Sequence, residues 1–204
     1  MHSDAEHDQE LASAGRTQFL AGAASAGEMR HFEELFERVT PALQAWLALR
    51  APRGRGVDPQ DLLQEVWLRA LQNFGTYDAA RSFRAWILGI AKNVLLQSLA
   101  RPASRSLDGA SSTGSGFVVP DQATSLGRRF SRDEALELFL ARVERMQPDE
   151  RALLVYCGLE QYSAPEAARR LGLGAEATAK RWQTLRARLR DDPAMNRVAA
   201  SLFD

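Results

Sequence analysis

The chain has 204 residues, 45% hydrophobic and 25% charged, which is ordinary for a soluble globular protein long enough to bury real cores. Its 26 basic residues balance 26 acidic ones, so whole-chain charge selects no partner and must be resolved segment by segment. One cysteine, Cys157, excludes an intramolecular disulfide and fits a reducing compartment, and no apolar stretch approaches the ~20 residues that cross a bilayer. The N-terminus (His2, Asp4, Glu6, His7, Asp8, Glu10) is too acidic for a secretory or transit signal, so a cytoplasmic protein is expected.

Residues 1–27 mix Ala, Gly, Ser and charge without a sustained period and predict a disordered tail. Phe32, Leu35, Phe36, Val39, Leu43, Trp46 and Leu47 then recur at helical spacing, with Pro41 expected to divide or kink the stretch. Arg50 to Val57 predicts a loop by its prolines and glycines. Asp58-Pro59 opens a second helix, the Asp as N-cap and the Pro in the first turn, where its missing N–H costs nothing. After a short connection, Ser82 caps a third helix with a core stripe of Trp86, Ile87, Ile90, Ala91, Val94 and Leu95, stopped by Pro102.

Residues 103–131 are rich in Ser and Gly and predict a flexible linker between two domains, 28–102 and 132–204. The second domain opens with a helix from about Asp133 to Met146, and another runs to Cys157, closed by Gly158. Ser163 and Glu166 form a capping box for a short helix ended by Gly172. A last long helix buries Trp182, Leu185 and Leu189 and ends at Asp191-Asp192-Pro193. No strand signal rises above noise, and the expected fold is all α: two small helical domains on a tether.

Two charge features stand out. Between Ala79 and Leu107 there is no acid, but Arg81, Arg84, Lys92, Arg101 and Arg105 accompany Phe83 and Trp86. Cations beside planar rings suit a nucleic-acid strand, since phosphates attract the former and unstacked bases lie on the latter. Tyr77, Phe83, Arg84, Trp86, Lys92 and Asn93 are the candidate set, with Trp86 and Asn93 two helical turns apart on one face. Aromatics at such spacing usually serve a core, and that reading stays open.

The second feature is the C-terminal pair: a short capped helix, a glycine-containing turn, then a longer helix, which is helix-turn-helix spacing. The longer helix carries Lys180, Arg181, Arg186, Arg188 and Arg190 with no acid from Ala177 to Arg190. Such a surface could face a DNA groove or simply be solvated. Asp61, Gln64 and Glu65 share a helix face, which either complements the helix dipole or docks a basic partner helix. No catalytic, cofactor or metal motif occurs; His2, His7 and His31 are not metal-spaced, and no enzyme is expected.

Taken together, Asp58-Pro-Gln-Asp-Leu-Leu-Gln-Glu-Val-Trp-Leu-Arg-Ala70, continuing into Ser82-Phe-Arg-Ala-Trp-Ile-Leu-Gly-Ile-Ala-Lys-Asn93, resembles region 2 of bacterial sigma factors. Gln147 to Arg190 resembles region 4, and a linker in place of region 3 resembles the extracytoplasmic-function (ECF) group. The resemblance implies that Asp61, Gln64 and Glu65 dock on the β′ clamp helices of core RNA polymerase. It implies that Tyr77, Phe83, Arg84, Trp86, Lys92 and Asn93 meet the proximal promoter element, with a base flipped out near Tyr77 and Asn93. Lys180, Arg181, Gln183 and Thr184 would face the major groove of the distal element, with Arg186 and Arg188 on phosphate or the β flap. An anti-sigma factor is a further partner such a layout admits.

The chain departs from the family at Ala177-Thr-Ala-Lys-Arg181 and at Pro165 and Ala167, which leaves the register of the recognition helix open. The expected function is a sigma factor that binds core polymerase and directs promoter recognition and opening. The rival is a free-standing helix-turn-helix regulator that binds an operator without polymerase.

Overall fold

A computed structural model describes residues 16–18, 20–22, 24, 30–52, 56–100, 134–192, 195 and 198. Helix α1 (Arg30–Arg50), α2 (Pro59–Asn73), a 3-10 turn (Phe74–Thr76) and α3 (Phe83–Ala100) build a first body. A second comprises α4 (Glu134–Glu144), α5 (Pro148–Leu153) with a π-helical stretch (Leu154–Leu159), α6 (Ala164–Leu171) and α7 (Ala175–Arg190). The described residues include no strand. The expected linker, 103–131, lies outside them.

Local chemistry sets most helix ends. The Asp58 side chain accepts the Gln60 N–H at 2.8 Å and Pro59 takes the first turn of α2. The Ser82 hydroxyl accepts the Ala85 N–H at 3.4 Å at the start of α3. Ser163 and Glu166 cap α6 reciprocally, and Gly172 ends it at φ 67°, a left-handed conformation that costs glycine nothing.

Pro41 does not divide α1. Proline in a helix interior costs about 3 kcal/mol. Its neighbours Phe36, Val39, Ala42 and Leu43 are all buried, and burying a large apolar side chain contributes roughly 1.5–3 kcal/mol, so packing outweighs the lost bond. The apolar residues of α1 meet Trp67 of α2: Phe32 edge-on at 5.8 Å and Phe36 at 4.6 Å between ring centroids.

Two expectations are corrected here. Residues 16–18, 20–22 and 24 belong to the first body rather than to a loose tail: they are helical, with Thr17, Leu20, Ala21 and Ala24 buried. The helix expected to close at Gly158 instead widens into a π turn through Leu159, where Glu160 N–H reaches the Val155 carbonyl at 2.8 Å. The two bodies pack on one another, α1 lying against both α4 and the π stretch.

A candidate nucleic-acid interface

Helix α7 shows how one periodicity separates a buried row from an exposed polar face. Thr178, Leu185 and Leu189 are buried and Trp182 is half-buried, a row at spacings of four, three and four residues. That row determines the register: Lys180, Arg181, Gln183, Thr184 and Arg188 are exposed, and Arg186 is half-buried. The sequence reading passed over Thr178, although it stands four residues before Trp182.

The cations of α7 are moderated by the acidic first turn of α5. Arg181 lies 3.5 Å from Asp149, and Arg188 lies 2.9 Å from Glu150. The Arg188 hydrogen bond outweighs burial and holds the Glu150 carboxyl below the usual carboxylate range. Both arginines are about half exposed, and exposed ion pairs contribute only about 0–1 kcal/mol, so a phosphate can displace either carboxylate.

The first body treats its rings differently. Phe83 is 1% exposed and Tyr77 5%, and together with Phe74 and Trp86 they form one cluster with centroids 5.3–6.0 Å apart. Phe83 is therefore a core residue rather than a surface platform. Tyr77 donates its hydroxyl to the Arg81 carbonyl at 2.7 Å, and burial pushes its phenol pKa up. Trp86 is half-buried at the rim of the cluster and Asn93 is exposed farther along α3. Arg84 is 8% exposed, in a groove lined by Val39, Leu43, Trp46, Ile87 and, from the second body, Leu159. In this packing it has no route to a phosphate.

Lys92 explains that seam. Its ammonium lies 3.3 Å from Glu160 and 5.3 Å from the Tyr162 ring centroid, both in the second body. Glu160, only 5% exposed at its side chain, also accepts the Trp46 indole N–H at 3.0 Å and an Arg50 N–H at 2.6 Å. Burial alone would raise the Glu160 pKa; the Trp46 and Arg50 hydrogen bonds with the Arg50 and Lys92 charges overcome it and lower the value. The Tyr156 and Tyr162 rings lie tilted against each other at 6.0 Å between centroids, with Arg50 over one and Arg170 4.3 Å from the other. Nothing in the sequence singled out Glu160, though a lone acid closing the apolar run Leu153–Leu159 was a usable signal.

On α2, Asp61 and Gln64 are exposed, and Glu65 is 45% exposed and paired with Arg69 one turn on at 2.7 Å. Asp61 and Glu65 line a groove of about 290 Å³ between α2 and the far end of α3, with Val94, Gln97 and Ser98 opposite. Among the described residues no group of His, Cys, Asp and Glu is arranged to hold a metal ion. No helix there is long and apolar enough to cross a membrane.

Comparison with known proteins bears on these faces. Residues 35–105 match the family described as Sigma-70 region 2, which spans α1 to α3. The RNA polymerase sigma factor CnrH of Cupriavidus metallidurans is 30% identical over 182 residues, covering 83% of this chain and 90% of CnrH. The sigma factor CarQ of Myxococcus xanthus is 28% identical over 156 residues (74% and 82%), and the ECF sigma factor SigX of Bacillus subtilis 25% over 150 (65% and 75%). A solved structure of CnrH in complex with the cytosolic domain of CnrY shares 23% identity at a TM-score of 0.40, over 84% of this chain and 93% of that one. With near-complete coverage of CnrH and a region 2 match on the first body, the chain belongs to the ECF group of RNA polymerase sigma factors, which bind core polymerase and direct transcription initiation.

Proposed function

We propose that the two bodies divide the sigma task, residues 28–102 acting as region 2 and residues 132–204 as region 4. Asp61, Gln64 and Glu65 dock on the β′ clamp helices, a basic surface that their exposed acidic step complements. Trp86 and Asn93, with the edge of Tyr77, hold one extruded base of the proximal promoter element, and Lys92 meets phosphate. Phe83 acts through the cluster it supports. Lys180, Arg181, Gln183 and Thr184 read the distal element in the major groove, while Arg186 and Arg188 neutralise phosphate or meet the β flap.

The observation that carries this reading is the pairing of two separately built faces on one chain. An acidic step on α2 and an outward polar row on α7 suit a protein that joins polymerase to DNA. A free-standing operator-binding regulator has no use for the former. Lys92 is engaged by Glu160 in the described packing, so the proximal contact requires the bodies to part. The site of action is the cytoplasm, where polymerase works. CnrH is seen with the cytosolic domain of CnrY, and by that likeness an anti-sigma partner is proposed for this chain; a pull-down that recovers no stoichiometric partner counts against it.

Run-off transcription with core polymerase tests the whole reading, on a promoter mapped from transcripts that the chain induces when overexpressed. Asn93→Ala and Trp86→Ala are expected to impair promoter opening while core binding stays intact. If both variants instead lose core binding, those residues are structural and the proximal assignment fails.

A further inference from the structure

The loop from Tyr77 to Phe83 connects the ring cluster to α3, and its residues Asp78 to Ser82 are exposed. Its own bonds are few: Arg81 N–H to the Asp78 carbonyl at 2.9 Å, Ala80 N–H to the Asp78 carboxylate at 3.0 Å, the Tyr77 hydroxyl to the Arg81 carbonyl, and an exposed Arg81–Asp78 ion pair at 3.4 Å. A seven-residue loop held only by such bonds samples several shapes.

A residue more than sixty positions away completes it. The Gln18 carboxamide donates to the carbonyls of Ala79 and Arg81, the latter at 2.8 Å, and accepts the Phe83 N–H at 3.3 Å. Phe83 is the first residue of α3, so its N–H has no acceptor within the helix. One planar amide therefore ties both limbs of the loop, and only Asn and Gln carry two donors and an acceptor on one such group. Gln18 is itself anchored. Arg38 donates to the Thr17 hydroxyl at 2.8 Å, Arg16 forks onto Glu34 at 2.8 and 3.0 Å, and Leu20 and Ala21 are buried.

We propose that Gln18 is a positioning residue for promoter opening: it holds the Tyr77–Phe83 loop in the shape that keeps Tyr77 beside Trp86, 5.3 Å between ring centroids, where the extruded base is held. This rests on the proximal-element reading above. The physical gain is preorganisation, because a loop already shaped loses less freedom when a strand arrives. It also gives residues 16–24 a purpose that their composition does not suggest.

The test uses holoenzyme reconstituted from the full chain and core polymerase, on the mapped promoter. Gln18→Ala removes all three bonds; Gln18→Glu keeps an acceptor for Phe83 but loses both donors. Arg16→Ala, which removes only a weak, exposed ion pair and leaves Thr17, Leu20 and Ala21 buried to hold the segment, is the control. Permanganate reactivity of unstacked thymines reads opening. Both Gln18 variants are expected to open duplex promoter about tenfold more slowly, with core affinity and the Arg16→Ala variant within about twofold of the parent. On a template whose proximal element is already unpaired, they are expected to recover to within about threefold, a template dependence that a merely destabilised fold does not produce.

Normal opening by the Gln18 variants, an equal deficit on both templates, or a parallel loss of core binding overturns the proposal. Trp86→Ala and Asn93→Ala run alongside. If they are defective while the Gln18 variants are normal, only this inference falls; if they open normally, the proximal reading falls and takes it along.

Discussion

Helices α3 and α7 both carry cations and no acid over most of their length, yet they dispose of them in opposite ways. Helix α7 has five cations in 16 residues and a single buried row, so its cations are left exposed or half-exposed. Helix α3 has two cations in 18 residues and is apolar on most sides, and a helix of that kind is covered from several directions. The first body covers one side and the second body another, taking Arg84 and Lys92 with it. Local charge of one sign is thus a poor guide to a contact surface until the apolar pattern around it is counted.

The largest expected effect is on the covered helix. Phe83→Ala removes a ring from the cluster and should cost about 3–5 kcal/mol in urea unfolding, with promoter binding lost as a consequence. A cost near zero would show that α3 carries its rings outward after all and would erase the contrast.

Next is the seam. Glu160→Ala leaves Trp46, Arg50 and Lys92 without their shared acceptor and should weaken docking of the bodies by about 1–3 kcal/mol, the partners' partial exposure reducing the figure. Small-angle scattering would report the larger radius. Glu160 also makes the seam acid-sensitive. Its folded-state pKa is lowered, so its contribution is complete at neutral pH and down to the ordinary glutamate value of 4.5. It is lost as the pH falls further, through the folded-state value. A scattering radius that grows on raising the pH from 5 to 7 would contradict this sign.

The outward helix should behave conversely. Lys180→Ala is expected to change folding stability by no more than about 0.5 kcal/mol. It should weaken promoter binding and, if the contact is to phosphate, reduce the salt slope of binding by about 1. Equal losses in stability and binding would make it a packing residue.

The smallest effect tests the register of α7. Thr178 is fully buried and its hydroxyl has no hydrogen-bond partner among the described residues. Thr178→Val should therefore be neutral or raise stability by up to about 1 kcal/mol in thermal unfolding, with promoter affinity unchanged.

Cys157 completes the contrast between appearance and disposition. Burial pushes its thiol up to about 11, so at neutral pH it is a small apolar side chain within the second body, as its apolar neighbours in sequence suggest.

The helix-turn-helix was legible because its determinants lie within a few residues of one another: Ser163 with Glu166, Gly172 after Leu171, and a buried row three or four positions apart. The same holds for Asp58-Pro59 and for the exposed step at Asp61 and Gln64. Of the candidate proximal set, the ring cluster was legible as a group and not in its disposition. Tyr77, Phe83 and Trp86 do come together, but their spacing alone does not distinguish a base platform from a core, and Phe83 went to the core.

What the amino-acid order determined by itself was therefore the all-helical content, the caps and the polar row of α7, all of which depend on neighbours within a turn or two. Only the tertiary structure decided that Glu160 gathers Trp46, Arg50 and Lys92 across separations of 114, 110 and 68 residues, and that Gln18 reaches Arg81 across 63. A carboxylate or an amide has no intrinsic preference among distant partners. Its role is assigned when packing removes water from around it and leaves one set of groups within hydrogen-bonding reach.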